Sequence, residues 1–285
     1  MRRCGSVAVL GETNAGKSTF VNAMVGQKVS IVSRKVQTTL MEISGVAIKD
    51  DSQVILLDTP GFFRKHKSEN LEKIAWDAFR KTDNVLFLVD VTKKNFENSI
   101  ELLKKIDDAK KVSLVLNKID LIHKPELLKL VVLFDEIRNF ENIFMVSSLT
   151  GSGIDDVLKY LSEIVPEGDW IFGDDEITDL PMEKYAAEIT REHIYHRLHQ
   201  EIPYKCIVKT TSCKEQRDGS LKIMQDVHVK KKAHKMIFIG HGGGKIKAIG
   251  EAARTELSSL LDRKVHLFLH VVVDEDHAAA NVETN

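Results

Sequence analysis

The stretch Gly11-Glu12-Thr13-Asn14-Ala15-Gly16-Lys17-Ser18 decides how the rest of the chain is read. It fits G-x4-G-K-S, the pattern of a phosphate-binding loop. The short apolar run Ser6–Leu10 precedes it, and a helical pattern over 17–25 follows. Strand, loop and helix in that order are the context the pattern requires. Glycines let consecutive backbone N–H groups curl round a β-phosphate, and the helix N-terminus adds a favourable field. Lys17 supplies a cation to the β and γ phosphates, and Ser18, followed by Thr19, supplies a hydroxyl to Mg²⁺. The competing explanation is a tight strand–helix turn with no ligand.

Working outward, apolar runs alternate with helical patterns through the first half. Candidate strands are Ser6–Leu10, Met41–Ile48, Gln53–Asp58, Val85–Asp90, Val112–Asn117 and Ile143–Ser147. All but the second are nearly continuous apolar runs, as expected of strands buried on both faces. Candidate helices span 17–25, 69–81, 97–109, 125–139 and 153–165. This alternation predicts a doubly wound α/β domain with a mostly parallel sheet. Two strand ends carry more chemistry. Asp58-Thr59-Pro60-Gly61 offers a carboxylate to Mg²⁺ through water and a side-chain-free N–H to a γ-phosphate. Asn117-Lys118-Ile119-Asp120 offers one carboxylate able to accept both guanine N–H groups. Adenine has the wrong donor pattern, so a P-loop ATPase or kinase is disfavoured. Open α/β sheets bind ligands at these carboxyl ends.

With those motifs in order, the chain resembles the translation-factor-like GTPases. The resemblance implies a switch motif at Gln37-Thr38-Thr39, with Thr39 as the first choice and Thr38 as the alternative ligand of Mg²⁺. It implies a base-binding loop at Ser147-Ser148-Leu149, where the family usually has Ser-Ala and then Lys or Glu. Lys17, Thr39 and Gly61 become the catalytic set. Phe62 follows Gly61, where Ras-like enzymes carry a water-orienting Gln; slow intrinsic hydrolysis is therefore expected. Asn14 matches a K⁺-coordinating residue in relatives activated by that ion, and a loop-stabilising side chain is the alternative.

A second pattern occupies the C-terminal part. Met182–His199 reads as helix, Tyr204–Thr211 and Leu221–Lys230 as strands, Ile246–Leu261 as helix and Val265–Val273 as strand. Between them lies Gly240-His241-Gly242-Gly243, followed by Lys245 and Lys247. This resembles the GXXG loop of a KH domain, which clamps a nucleic-acid backbone. A lone GxxG is usually a turn; the surrounding element order supports the specific interpretation. The αββααβ plan of KH type II domains requires a helix over Ala233–Ile239, although those residues look equally strand-like. Lys230, Lys231, Lys232 and Lys235 are further candidate RNA contacts, or a solvated strand end. Residues 184–264 hold 17 Lys/Arg against 9 Asp/Glu, while the whole chain has net charge -1.

A G domain fused to a KH domain is similar to the Era-like GTPases. Gly26–Thr39, Glu188-Ile189-x-Arg191-Glu192 and Ile202-Pro203-Tyr204 extend the likeness. Glu12-Thr13 stand where that family commonly has Arg-Pro, which predicts tuning of the loop and not its loss. The resemblance implies binding of GTP and GDP with Mg²⁺, and binding of the 3′ end of small-subunit ribosomal RNA during small ribosomal subunit assembly. It further implies a cytoplasmic monomer associating peripherally with the inner face of the cell membrane. The alternative is a non-hydrolysing RNA-binding factor with GTP as a structural ligand. The expected domains are 1–166 for GTP, a linker over 167–181, a KH domain over 182–273, and a disordered tail over 274–285. Three cysteines, Cys4, Cys206 and Cys213, without CxxC spacing, argue against a disulfide framework or zinc site and suit a reducing compartment. No apolar run reaches the 18 residues of a membrane span.

Overall fold

The computed structural model describes residues 1–32, 43–58, 79, 82–198 and 206–274. Two compact units are present, Met1–Asp179 and Leu180–Asn285. In the first, strands β1 (Arg3–Gly11), β2 (Ile43–Lys49), β3 (Ser52–Asp58), β4 (Asn84–Asp90), β5 (Val112–Asn117) and β6 (Ile143–Val146) form one sheet. Its order is β2-β3-β1-β4-β5-β6. β2 is antiparallel to β3, and every other pairing is parallel. Helices α1 (Lys17–Val25), α2 (Glu97–Leu103), α3 (Lys124–Asp135) and α4 (Ile154–Ile164) flank it.

β4 and β5 are buried at every position, which is why they read as unbroken apolar runs. Side chains alternate across a strand, so each run feeds two cores. Leu86 and Leu88 join α1 and α4 through Phe20, Val21, Val157 and Leu161. Phe87 and Val89 join α2 and α3 through Leu102, Leu103, Leu127 and Phe134. Each fully buried Leu or Phe contributes about 1.5–3 kcal/mol. The sheet is thus doubly wound, and parallel register brings the ends of β1, β3, β4, β5 and β6 to one edge.

Two expectations need correction or restriction. The helix expected over 97–109 ends at Leu103. The Arg138 guanidinium takes the carbonyls of Ile106, Asp107 and Lys110 at 2.8–3.0 Å, diverting them from further helical turns. The helix expected over 69–81 lies outside the described residues except for Phe79.

The stretch following α4, expected as a linker, is tied to the first unit as far as Asp179. Gln53 is fully buried. It accepts hydrogen bonds from the Ile171 and Phe172 N–H groups and donates to the Phe172 carbonyl, all at 2.9–3.0 Å. Val46 N–H donates to the Ile177 carbonyl at 2.8 Å. The Asp179 carboxylate accepts from Ser44 N and Oγ, both at 3.1 Å. The free edge of β2 is thereby covered by its own chain.

The second unit runs α5 (Met182–Arg197), β7 (Cys206–Glu215), β8 (Leu221–Val229), α6 (Lys232–Ile239), α7 (Gly244–Leu260) and β9 (Val265–Val273). Its sheet has the order β7-β8-β9, antiparallel then parallel. This is the αββααβ plan of a KH type II domain. Ala233–Ile239 forms helix, not strand. Ile237 and Ile239 favour strand locally, but Phe238 is fully buried in the core with Ile194, Val227 and Ile249, and packing overrides propensity. The three cysteines are free thiols; burial pushes that of Cys206 up to about 12. Among the described residues no helix is long and apolar enough to cross a membrane.

Candidate functional site

Gly11 ends β1 and Lys17 begins α1, so the loop between them sits at the carboxyl edge of the sheet. Gly16 caps α1 with φ 96°. A Cβ there would lie 2.5 Å from Asn117 Nδ2, so only glycine fits. Asn14 also takes a left-handed conformation, φ 64°, which Asn tolerates. Its side chain is exposed and makes no hydrogen bond to the described residues. Ala15 is buried, while Thr13 and Thr19 are half-buried.

Lys17 is buried, and its Nζ donates to the Gly11 and Glu12 carbonyls at 3.0 and 2.9 Å. Burial pulls its pKa down to about 8, against the opposing pull of Asp58. Ser18 Oγ donates to Asp58 Oδ2 at 2.7 Å, and Asp58 is fully buried. A hydroxyl and a carboxylate thus stand together beside the lysine, oxygen donors of the type Mg²⁺ takes.

The Asn117 amide links two loops of this edge. Its Nδ2 donates to the Ala15 carbonyl at 2.9 Å, and its Oδ1 accepts from Lys118 N, Ser148 N and Ser148 Oγ. The amide joins the phosphate loop to the Ser147-Ser148-Leu149 loop. Lys118, with φ 71°, donates from Nζ to the Asn14 carbonyl at 2.9 Å and pairs with Asp90. Burial would raise the Asp90 pKa, but hydrogen bonds from Lys118 and Thr92 outweigh it and hold the carboxyl low. Asp120 lies in a 3-10 turn over Ile119–Leu121 and is exposed. The Ser147 hydroxyl accepts from Thr150 N at 3.2 Å, and Leu149 is 81% exposed. Gln37, Thr38, Thr39, Thr59, Pro60, Gly61 and Phe62 lie outside the described residues.

Glu12 turns its buried carboxylate to Lys93, as an ion pair, and to the Ser99 hydroxyl. Asp90, Thr92, Lys93 and Ser99 were not among the sequence candidates. One signal could have found the first three: Asp90 ends a buried strand whose carboxyl end lies at the ligand edge.

In the second unit α6 ends at Ile239 and is capped by Gly240, with φ 71° and ψ 179°. A Cβ there would meet Lys245 Cγ at 2.7 Å. His241–Gly243 make one 3-10 turn, and α7 starts at Gly244. His241, Gly242, Lys245 and Lys247 are exposed, as are Lys230, Lys231 and Lys232; Gly243 and Lys235 are half-buried. A groove of about 440 Å³ runs between α6 and β9, lined by Lys232, Lys235, Met236, Ile239 and His270–Val273. Met236 is 72% exposed. The apolar part of this groove escaped the sequence candidates because the β9 run reads simply as core. Among the described α-helices, α1, α6 and α7 have no acidic residue in the first turn, while α2, α3, α4 and α5 each do. At those three N-termini no acidic side chain of the helix's own first turn offsets the positive field.

Fold and site together define a P-loop G protein joined to a KH-type unit. Residues 6–118 match the family described as "50S ribosome-binding GTPase", and residues 201–277 match "KH domain". The chain belongs to the GTPase Era family. It is 46% identical over 279 residues to GTPase Era of Sinorhizobium medicae, covering 96% of this chain and 89% of the relative. It is 47% identical to that of Rhizobium meliloti, covering 96% and 88%. Among solved structures it is similar to Era in complex with MgGDPNP and nucleotides 1506–1542 of 16S ribosomal RNA, with TM-score 0.85, 35% identity and coverage of 97% and 95%. It is equally similar to a single-residue variant of Aquifex aeolicus Era bound to GDP·AlF4⁻, with TM-score 0.85, 36% identity and coverage of 96% and 95%.

Proposed function

We propose that the chain hydrolyses GTP at the edge formed by Gly11–Thr19, Asp58, Asn117–Asp120 and Ser147–Leu149, and binds the 3′ end of small-subunit ribosomal RNA through its KH unit. The observation that carries this is the assembly at one sheet edge of a buried lysine, a Ser18–Asp58 oxygen pair and an exposed Asp120, in a chain related to Era along nearly its whole length. Gly11–Gly16 backbone N–H groups hold phosphate oxygens. Lys17 exchanges its two carbonyl partners for the β and γ phosphates. Asp120 reads the guanine edge from solvent, and Asn117 keeps the phosphate and base loops in register. Mg²⁺, held by Ser18 and Thr39 with Asp58 behind it, supplies charge neutralisation on the phosphates. Thr39 and Gly61 complete the site from the segments on either side of β2 and β3.

At the KH unit, Gly240–Gly243 admit a nucleic-acid backbone to the α7 N-terminus. Lys245, Lys247, Lys230, Lys231, Lys232 and Lys235 attract it. Bases lie against Met236 and Ile239 in the groove. Control of small-subunit assembly, a cytoplasmic monomeric form and peripheral membrane association complete the proposal by likeness to the family; the free thiols suit the cytoplasm.

Phe62 leaves the attacking water without a side-chain orienter, so intrinsic hydrolysis is slow. The unengaged Asn14 side chain supports K⁺ as activator over a loop-stabilising role. Single-turnover phosphate release from GTP, in K⁺ or Na⁺ and with or without the 16S 3′ RNA, tests both points. Release faster in K⁺ is expected. Equal rates in the two salts would remove K⁺, and no release in any arm would leave GTP as a structural ligand.

A further inference from the structure

A phosphate loop is built to attract anions, yet this one carries a carboxylate at its second position. Glu12 is only 6% exposed, so water does little to screen it. Its backbone carbonyl already accepts from Lys17 Nζ at 2.9 Å, which ties the residue directly to the cation that meets the phosphates. A buried negative charge in that position repels an incoming triphosphate and competes for Lys17.

The structure answers that charge with a built partner. The Glu12 carboxylate pairs with Lys93 Nζ and accepts from Ser99 Oγ. Lys93 is itself held in place. Its N–H donates to the Asp90 carbonyl at 3.3 Å, and Thr92 caps the same turn from N and Oγ1 onto Asp90 Oδ1 at 3.0 and 2.6 Å. Asp90 is anchored in turn by Lys118. Ser99 lies buried in the first turns of α2. The ends of β1 and β4 and the start of α2 are therefore joined at one carboxylate.

We propose that Lys93 is a positioning residue of the nucleotide site. By neutralising Glu12 and turning it toward α2, it allows a phosphate loop that contains a carboxylate to accept GTP. Ser99 holds the second carboxylate oxygen in the same direction. Lys93 acts through Glu12, so its effect falls on binding and not on the chemical step. The proposal rests on the GTP-binding function given above.

The test uses the full-length protein with GDP and GTP in the presence of Mg²⁺. Binding by the parent protein checks the GTP-binding function itself, and only differences between variants check Lys93. Lys93→Met should weaken GDP binding and raise KM for GTP about tenfold or more, with kcat changed less than about threefold, because an unpaired buried carboxylate remains. Lys93→Arg should retain most of the affinity. Glu12→Gln combined with Lys93→Met should recover most of what Lys93→Met loses, since no charge is left to neutralise. Unchanged affinity in Lys93→Met, or loss without recovery in the double variant, would overturn the proposal. If Lys93→Met fails to fold and the double variant folds and binds, Glu12 is confirmed as the charge that Lys93 answers. If both fail to fold, Lys93 serves the fold and the proposal is wrong.

Discussion

Lys17 carries its charge where charge is costly. Its pKa near 8 lies below the ordinary 10.5, chiefly because it is buried. Unfolding therefore takes up a proton between those two values, and stability rises with pH across that window. The penalty is fully present below pH 8 and is relieved as pH approaches 10.5. It amounts to about 3 kcal/mol for a depression of this size. Urea unfolding of the nucleotide-free protein should show it. The stability of Lys17→Met relative to the parent should fall as pH rises from about 7.5 to about 9.5, and a difference that ignores pH would mean that the ammonium is hydrated. Asp120 has the opposite setting. It is exposed and makes no hydrogen bond to the described residues, so its carboxylate is available to a base. Asp120→Asn should weaken the preference for GTP over xanthosine triphosphate, because an amide presents a different donor–acceptor pattern. Competition binding with both nucleotides measures this; an unchanged preference would remove Asp120 from base reading.

At the scale of elements, α6, the glycine turn and α7 form one device. Gly240 adopts φ 71° and ψ 179°, a conformation essentially restricted to glycine. Gly240→Ala also drives a Cβ into Lys245. It should destabilise the KH unit by about 1–3 kcal/mol, seen as a lower midpoint in thermal or urea unfolding. Gly242 differs: space around it is open, and its left-handed φ of 55° is one that Asp adopts at modest cost. Gly242→Asp should leave a folded unit and intact GTP affinity but weaken binding of a 16S 3′ RNA oligonucleotide, because the new carboxylate faces phosphate. RNA affinity equal to the parent's would place the backbone contact elsewhere.

At the scale of the whole molecule, the first unit includes its trailing segment as far as Asp179. A fragment of residues 1–166 would strip Gln53 of three hydrogen bonds and bare the edge of β2. It should be less stable than a fragment of residues 1–179 by about 2–4 kcal/mol, the cost of leaving a buried amide unsatisfied together with lost edge contacts. Comparing the two by urea unfolding checks this, and equal midpoints would show that the segment only passes by.

The turns at Gly16 and Gly240 were legible in the sequence because backbone geometry demands glycine at both positions. The parallel sheet was legible because doubly buried strands cannot alternate with polar residues. The helix over Ala233–Ile239 was legible only through resemblance, since Ile237 and Ile239 locally favour strand and burial of Phe238 decides the matter. The pairing of Glu12 with Lys93 and Ser99 could not be read at all. The two partners lie 81 and 87 residues from Glu12, and no local pattern states which lysine will meet a buried carboxylate. The same holds for the Asn117 amide, which joins two loops 102 and 31 residues away in the chain. Sequence by itself determined the phosphate loop and the order of the elements, because both depend on local backbone and burial requirements. Only the tertiary structure decided which charges neutralise that loop and what covers the edge of β2, because those pairings depend on distances in space between residues far apart in the chain.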